Sequence, residues 1–510
     1  MNIAAELDRI ARDRGERPAL HSGDQVWTFA DLDARASAVA TGLESAGVRP
    51  GDRVVIVMGN EPDHVAAWYG ITKAGALPVD LNILLGDEEW TAILDDCAPR
   101  AVLAGGEFVP RLRGLLDRDA AVQLWATGDA AGALPLAGLG AGTPARPAIA
   151  RNGREPAVIA YTSGTTGRPK GVVHDHDRLR HHLDVCVEAL GYGPDDVIVN
   201  LLPLFPLHAF LAQAGLCVHV GCQLVLLGRF DPAVLADESR RHRFTTGTFV
   251  PAIVQALLAV PPEARPRFVP GSRFNIGGAP LSPETRERFE STYGVTLLQG
   301  YGSTEVMGSI AMERAGRRPP WGACGELFPR LEGLVRVVDE HGRDVEPGTV
   351  GEFAVHASRA LVGYWGDEAA TREAFLDGEW YRMGDLGRID ENGFVAVVDR
   401  CKDMIIRGGF NIYSAEIERV LSEHRAVAEA TVVGQPDERL GEVPVAYVVT
   451  RPAVTAGPAL GEELRRTVAE RLGPLKVVER VEFVAASDLP RNAMGKVLKR
   501  ELRARLVRAG

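Results

Sequence analysis

The sequence is poor in cysteine: six residues (Cys97, Cys186, Cys217, Cys222, Cys324 and Cys401) are scattered through 510 positions, with neither a Cys-x-x-Cys pair nor metal-ligand spacing. A disulfide framework and a zinc site are thereby excluded as organising features, and a reducing compartment fits best. Nor is there a surplus of basic charge, since 57 Lys and Arg face 68 Asp and Glu for a formal charge of −11. That balance speaks against nucleic acid as a partner, and an anionic substrate must find positive charge locally. Residues 1–14 read as a charged amphipathic helix and lack the apolar core of a signal peptide, so a cytoplasmic location is expected. Residues 201–228 contain no Asp, Glu, Lys or Arg and could in length cross a bilayer, but Pro203, Pro206, Gly215 and Gly221 interrupt them. A buried helix followed by a strand at 222–227 accounts for this run, and no membrane span is expected. Tandem repeats are also missing.

With 46% hydrophobic residues over this length, the chain can bury large cores and should form more than one domain. Helix and strand patterns alternate from the start: a strand-like entry at Trp27-Thr28-Phe29, a helix at 30–46, a buried strand at 52–58, a helix at 63–73 and a strand at 76–81. Such a rhythm predicts sheets covered by helices. Residues 127–156 shift to Ala, Gly and Pro and mark an exposed connector. Further helices are expected at 177–190 and 232–242, the latter capped by Asp231, with strands at 197–202 and 245–250. Beyond residue 400 a helix at 415–424, strands at 428–433 and 443–449 and a helix at 462–472 fill roughly a hundred residues, the size of one small domain. The expected fold is α/β, with a large multi-sheet domain over 1–400 and a small α+β domain over 401–510.

One stretch is hard to explain as mere folding. Tyr161-Thr162-Ser163-Gly164-Thr165-Thr166-Gly167-Arg168-Pro169-Lys170-Gly171 packs three glycines, four Ser or Thr hydroxyls and a lysine into eleven residues. Glycines let backbone N–H groups turn inward, hydroxyls add neutral donors and Lys170 adds charge, a combination suited to gripping a polyphosphate. It is not a Walker loop, because Pro169 precedes Lys170 and Gly171 follows it.

This stretch resembles the signature loop of the adenylate-forming superfamily, which includes acyl-CoA synthetases, peptide-synthetase adenylation domains and firefly luciferase. The phrase from Ala74-Gly75 to Asn82 is similar to an amino-terminal block of that superfamily, and later motifs follow in its order. The resemblance implies ATP and Mg2+ as requirements and places Thr162, Ser163, Gly164, Thr165, Thr166 and Lys170 on the phosphates. It adds Gly278, Ala279 and Pro280 of Asn275–Pro280, and Gly300, Tyr301, Gly302, Ser303, Thr304 and Glu305 of the Gln299–Glu305 phrase. Tyr301 would lie against adenine, Thr304 would contact phosphate and Glu305 would hold magnesium, consistent with a flat ring stacking on a base and with the preference of Mg2+ for hard oxygen ligands. Asp385, in Gly384-Asp385, would accept both ribose hydroxyls, which a carboxylate does better than any neutral side chain. Met383 departs from the usual threonine there.

In Asp399–Ile412, Arg400 would contact ribose or phosphate, Lys402 stands at the pivot of a mobile carboxy-terminal domain, and Gly408-Gly409 would line a thiol tunnel. Lys496, in Pro490-Arg491-Asn492-Ala493-Met494-Gly495-Lys496, would be catalytic for adenylation, its ammonium stabilising charge shared between the carboxylate and the α-phosphate. Asn492 replaces the family's common threonine. The implied reaction joins a carboxylic acid to a thiol, coenzyme A or a carrier protein; a homo-oligomer is left open.

Pro206 stands where peptide-synthetase domains hold the substrate amine with an aspartate, which disfavours an α-amino acid. Acyl-CoA synthetases usually carry histidine after Phe205, whereas here His208 follows two residues beyond Pro206, either closing the pocket or serving the core. Gly300 takes the place of the arginine that dicarboxylate-activating relatives tend to use. With Ala209, Phe210, Val250 and Ile276 beside it, an apolar pocket for a fatty or aryl acid is expected. An unusual oxyanion such as nitrite is the remaining alternative.

Overall fold

The computed structural model describes residues 1–116, 122–162, 169–278, 281–320, 322–452, 454–491 and 497–509, without the side chains of 507–509. The chain divides into two compact units, Met1–Val335 with Val355–Tyr381, and Arg336–Ala354 with Arg382–Gly510. Both mix helices with sheets, as the alternating patterns predict.

In the larger unit one sheet is a parallel stack of the strands Leu77–Asp80, Arg53–Val57, Ala101–Ala104 and Gln123–Ala126, extended by Leu134–Pro135. Arg53–Val57 reads Arg-Val-Val-Ile-Val, the near-continuous apolar run of a strand covered on both faces. A second sheet has nine strands in the spatial order Glu326–Leu327, Gly308–Met312, Thr296–Ser303, Arg273–Ile276, Thr246–Phe249, Val197–Val199, Gln223–Val225, Pro18–Ser22 and Gln25–Thr28. Its centre is parallel, and it turns antiparallel where Thr296–Ser303 meets Gly308–Met312. Phe249, Phe268, Phe274 and Phe289 pack its core, with ring centroids of Phe249 and Phe274 4.8 Å apart. A third sheet joins Pro156–Thr162, Lys170–Asp175 and Gly363–Tyr364.

Local chemistry explains where the elements begin. Thr28 closes a capping box with Asp31, so Phe29 opens the helix Phe29–Ser45 instead of continuing a strand. Asp231 caps Pro232–Arg241 by accepting from the N–H groups of Ala233 and Val234. The strand expected at 197–202 ends at Val199; the Asn200 N–H still donates to the Val225 carbonyl at 2.9 Å, and its side chain joins a buried amide network. Asn60 Nδ2 donates to Asn200 Oδ1 at 2.6 Å, Asn200 Nδ2 to Gln213 Oε1 at 2.7 Å, and the Leu204 N–H to Asn60 Oδ1 at 2.9 Å. Gln213 lies in a π turn, Leu211–Gly215, within helical residues 207–220. Among the described residues no helix is long and apolar enough to cross a membrane.

In the smaller unit, helices Ser414–Ser422 and Pro458–Leu472 pack with a sheet ordered Phe410–Ile412, Ile405–Arg407, Gly441–Thr450, Val427–Asp437, and Arg480–Phe483 pairs in parallel with Gly441–Thr450.

Lys73 is the least expected core residue. Fully buried at the end of the helix Pro62–Lys73, its ammonium lies 2.5 Å from Asp8 Oδ1 and 2.6 Å from Asp33 Oδ1, and donates to the Arg146 carbonyl at 2.8 Å. It thus ties the helices Ala5–Arg14 and Phe29–Ser45 to the connector. Removing one partner of a buried ion pair strands the others, so Lys73→Met should destabilise the protein by about 3–5 kcal/mol in denaturant unfolding. A loss below about 1 kcal/mol, the range of surface pairs, would show that the aspartates reach water.

Candidate active site

Thr162 and Lys170 face each other in register across the hairpin that carries the glycine-rich loop. Ser163, Gly164, Thr165 and Thr166 lie outside the described residues, as do Ala279, Pro280 and Lys496. Lys170 leads into the strand Lys170–Asp175 and holds its ammonium over the ring of Tyr364, 4.8 Å from the centroid. Tyr364 arrives there because Gly363–Tyr364 pairs with Val173 and Val172 on that strand.

The same strand presents His174, which is fully buried and bonded through Nε2 to the carbonyl of Thr304 at 2.7 Å. A carbonyl only accepts, so Nε2 carries the proton. Burial holds this imidazole down at about 4, the Thr304 bond opposing it, and it is neutral at pH 7. The phosphate-loop strand and the turn Thr304–Val306 are therefore tied directly. Sequence reasoning passed over His174, although His174-Asp175-His176 directly after the loop was a visible signal.

Close backbone approach shapes the rest of this motif. A side chain on Gly302 would meet the Gly308 carbonyl oxygen at 1.5 Å, so only glycine fits. Gly308, at φ +119°, leaves room for two histidines, since a Cβ there would lie 2.6 Å from His208 Nδ1 and 2.8 Å from His182 Cε1. At Gly300 a Cβ would lie 2.9 Å from both Ser309 Oγ and Met312 Cε, so the glycine lets these side chains close in and does not open a pocket. Ser303 Oγ is buried with no hydrogen-bond partner among the described residues, an orphan polar atom next to Thr304. Tyr301 and Glu305 are both half-buried. Gly278, at φ +83°, is exposed just beyond the strand Arg273–Ile276.

Behind the turn lies a small cavity of about 20 Å³, room for about one water, between Val185 and His182 of the helix His176–Leu190 and Val306 and Met307 of the motif. Burial pushes His182 down to about 3 and His181 to about 4, with nearby arginines adding to the effect on His181. His208 is lowered by burial too, and its rings sit 6.2 Å from those of His182. Phe210, expected on a pocket wall, instead stacks on Trp68 at 4.7 Å with no exposed surface.

In the smaller unit Asp385 is buried, lies 3.2 Å from Arg400 Nε and pairs with Arg400 in register. Glu352 supports this corner by accepting from the Gly384 N–H at 3.1 Å and from Arg382 Nε at 2.7 Å, a role no motif announced. Lys402 stands between two anchored acids: Asp399 accepts from Ser414 Oγ at 2.8 Å, and Asp403 accepts from Arg503 at 2.9 Å. Burial and Arg400 lower the Lys402 ammonium. Gly408 and Gly409, at φ +58° and +84°, form the two-residue turn of the hairpin Ile405–Ile412, a conformation that demands glycine by itself.

Residues 7–365 match the family model for AMP-binding enzymes, and residues 416–496 match the model for their carboxy-terminal domain. A feruloyl-CoA synthase of Amycolatopsis is 34% identical over 505 residues, 98% of this chain and 97% of that protein. The fatty acid–[acyl-carrier-protein] ligase ScoC of Streptomyces coeruleorubidus is 32% identical over 497 residues, 96% and 93% of the two chains. The crystal structure of ATP-bound MatB from Rhodopseudomonas palustris superposes with a TM-score of 0.88 at 29% identity, covering 99% of each chain.

The buried histidines make the larger unit acid-sensitive. His174, His176 and His181 stay neutral down to about 4 and His182 down to about 3, whereas in the unfolded chain they protonate near the ordinary 6.5. Between these values the unfolded state binds protons that the folded state refuses, so stability falls as pH drops through that window. Scanning calorimetry from pH 7 to 4.5 should show a falling Tm, with a shallower slope for His182→Gln; a flat profile would mean that these imidazoles titrate freely.

Proposed function

Because the chain belongs to the family of AMP-binding enzymes, and through it to the adenylate-forming superfamily of AMP-forming acid–thiol ligases, we propose that it joins a fatty or aryl carboxylic acid to coenzyme A in two ATP-driven steps. A carboxylate oxygen attacks the α-phosphorus of ATP to give acyl-AMP and pyrophosphate. The thiol then attacks the acyl carbonyl, and AMP leaves.

The observation that carries this reading is the bond between His174 and Thr304, which joins the strand leaving the phosphate loop to the Thr304–Glu305 turn. Thr162 and Lys170 at the loop base, with the loop between them, would hold the phosphates. Tyr301 would lie on adenine. Ser303 and Thr304 would donate to phosphate oxygens, for which the unpartnered Ser303 hydroxyl is suited. Asp385 and Arg400 would take the ribose.

Glu305 is half-buried and not spent on an ion pair among the described residues. No cluster of three or more His, Cys, Asp or Glu among the described residues could hold a metal unaided. One carboxylate shared with phosphate and water oxygens suits Mg2+, which would supply charge neutralisation on the phosphates. Lys496 would place an ammonium on the developing charge during adenylation, and rotation of the carboxy-terminal domain about Lys402 would withdraw it for the thiol step, with Gly408 and Gly409 leaving room for pantetheine. The similarity to ScoC keeps a carrier protein as the second reading for the acceptor. A cytoplasmic setting, where ATP and CoA are at hand, belongs to the same reading.

Pyrophosphate release should occur with one class of fatty or aryl acid and yield a thioester when CoA is added. Release without a CoA product would transfer the reading to a carrier-protein acceptor, and silence across the acids would overturn it. Lys496→Ala should slow adenylation by on the order of 10²-fold or more, while thioester formation from supplied acyl-AMP persists. Equal loss of both half-reactions would remove the role given to Lys496.

A further inference from the structure

The strand Lys170–Asp175 sorts its side chains between two faces. Gly171 and Val173 turn to the core that holds Ile159 and Trp365, and a Cβ on Gly171 would lie 3.1 Å from Trp365 Cβ. Lys170, Val172 and His174 share the opposite face, since side chains alternate along a strand. Tyr364 pairs in register with Val172, and directly opposed residues point to one face. Its diagonal neighbours there are Lys170 and His174, and His174 holds the Thr304 carbonyl. Tyr364 thus stands between the lysine at the base of the phosphate loop and the turn that carries Glu305.

The ring is fastened from several sides. The Trp365 N–H donates to the Gly171 carbonyl at 2.7 Å and the Val362 N–H to the Val173 carbonyl at 2.8 Å, which clamps Gly363–Tyr364 onto the strand. The Tyr364 N–H donates to Thr371 Oγ1 at 2.9 Å, and that hydroxyl donates in turn to the Asp367 carbonyl at 2.7 Å. Burial, and after it the charge of Glu305, push the Tyr364 phenol above its ordinary value, while a hydrogen bond with Tyr381 opposes them. The Glu305 carboxylate is therefore near enough to act on this phenol.

What the ring does follows from charge. Lys170 keeps its ammonium 4.8 Å from the ring centroid, and among the described residues neither Lys170 nor Glu305 has an ion-pair partner. An ammonium and a carboxylate gathered around one phenol attract each other, and a direct pair would consume both. The aromatic face offers another resting place, because its quadrupole attracts the ammonium without neutralising it.

We infer that Tyr364 is a positioning residue for adenylation, whose ring seats Lys170 and keeps it from pairing with Glu305, so that the cation stays available to the phosphates and the carboxylate to magnesium. The inference rests on the ligase reading, which gives Lys170 and Glu305 those roles. Tyr364 itself acts on no reacting atom; it acts through the two side chains that it holds apart.

The test is nucleotide affinity, read by titration calorimetry with the α,β-methylene analogue of ATP and Mg2+ and without any acid. Tyr364→Leu should weaken binding about tenfold, and Tyr364→Phe, which keeps the ring, should stay within about threefold of the wild type. In a double-mutant cycle Lys170→Met should erase the loss caused by Tyr364→Leu, because no ammonium is left to seat. In turnover, Tyr364→Leu should raise KM for ATP and the Mg2+ concentration at half-maximal rate, while KM for the acid holds. Full additivity of Lys170→Met and Tyr364→Leu, or equal losses in Tyr364→Leu and Tyr364→Phe, would overturn the inference. Should Tyr364→Leu not fold, fluorinated phenylalanines at position 364 keep the shape of the ring and drain its negative face. Affinity should then fall with each fluorine, and a flat series overturns the seat. If the analogue binds but no acid releases pyrophosphate, the ligase reading fails while the affinities still decide whether Tyr364 seats Lys170. An analogue that does not bind the wild type overturns both.

Discussion

The hydrogen bond between His174 Nε2 and the Thr304 carbonyl is the constraint on which the larger unit's chemistry rests. It is made inside the protein, by an imidazole that burial keeps neutral, and it links two segments 130 residues apart in sequence. Without it the phosphate-loop strand and the Thr304–Glu305 turn would share only a general neighbourhood. With it, the turn's backbone is held at a stated atom of the strand that begins at Lys170. The tight passage of Gly302 against Gly308 then determines where the chain goes next, past His182 and His208 and along the cavity.

Charge placement follows a consistent logic in a chain that is acidic as a whole, with a formal charge of −11. Lys170 keeps its ammonium over the ring of Tyr364. Others are consumed internally. Lys73 is neutralised by Asp8 and Asp33 in the core, and Arg178 is spent on Asp175 and two carbonyls. This division matters physically, because a buried charge contributes to recognition only when the fold has not already satisfied it.

The smaller unit shows the same economy. Asp385 and Arg400 are adjacent on paired strands, so the two residues proposed for a ribose come as one register pair. Lys402 is flanked by acids that the unit itself anchors, through Ser414 and Arg503, so the residue proposed as a pivot lies between two fastened points.

Much was legible in the chain itself. Helix starts were readable where a side chain caps its own neighbours, as Asp231 does, because that chemistry acts within a few residues. The roles proposed for Thr162, Lys170, Tyr301, Thr304, Glu305 and Asp385 rest on motifs that resemble those of the adenylate-forming superfamily. Tertiary structure alone decided what depends on distant partners. The Asn200 side chain joined amides at 60 and 213, Phe210 turned to Trp68 instead of a pocket, and Lys73 became a core residue through Asp8 and Asp33. The same holds for His174 and Tyr364. Nothing within a few residues of them states that one will bond Thr304 and that the other will hold Lys170 over its ring, since such contacts arise only when remote segments pack together.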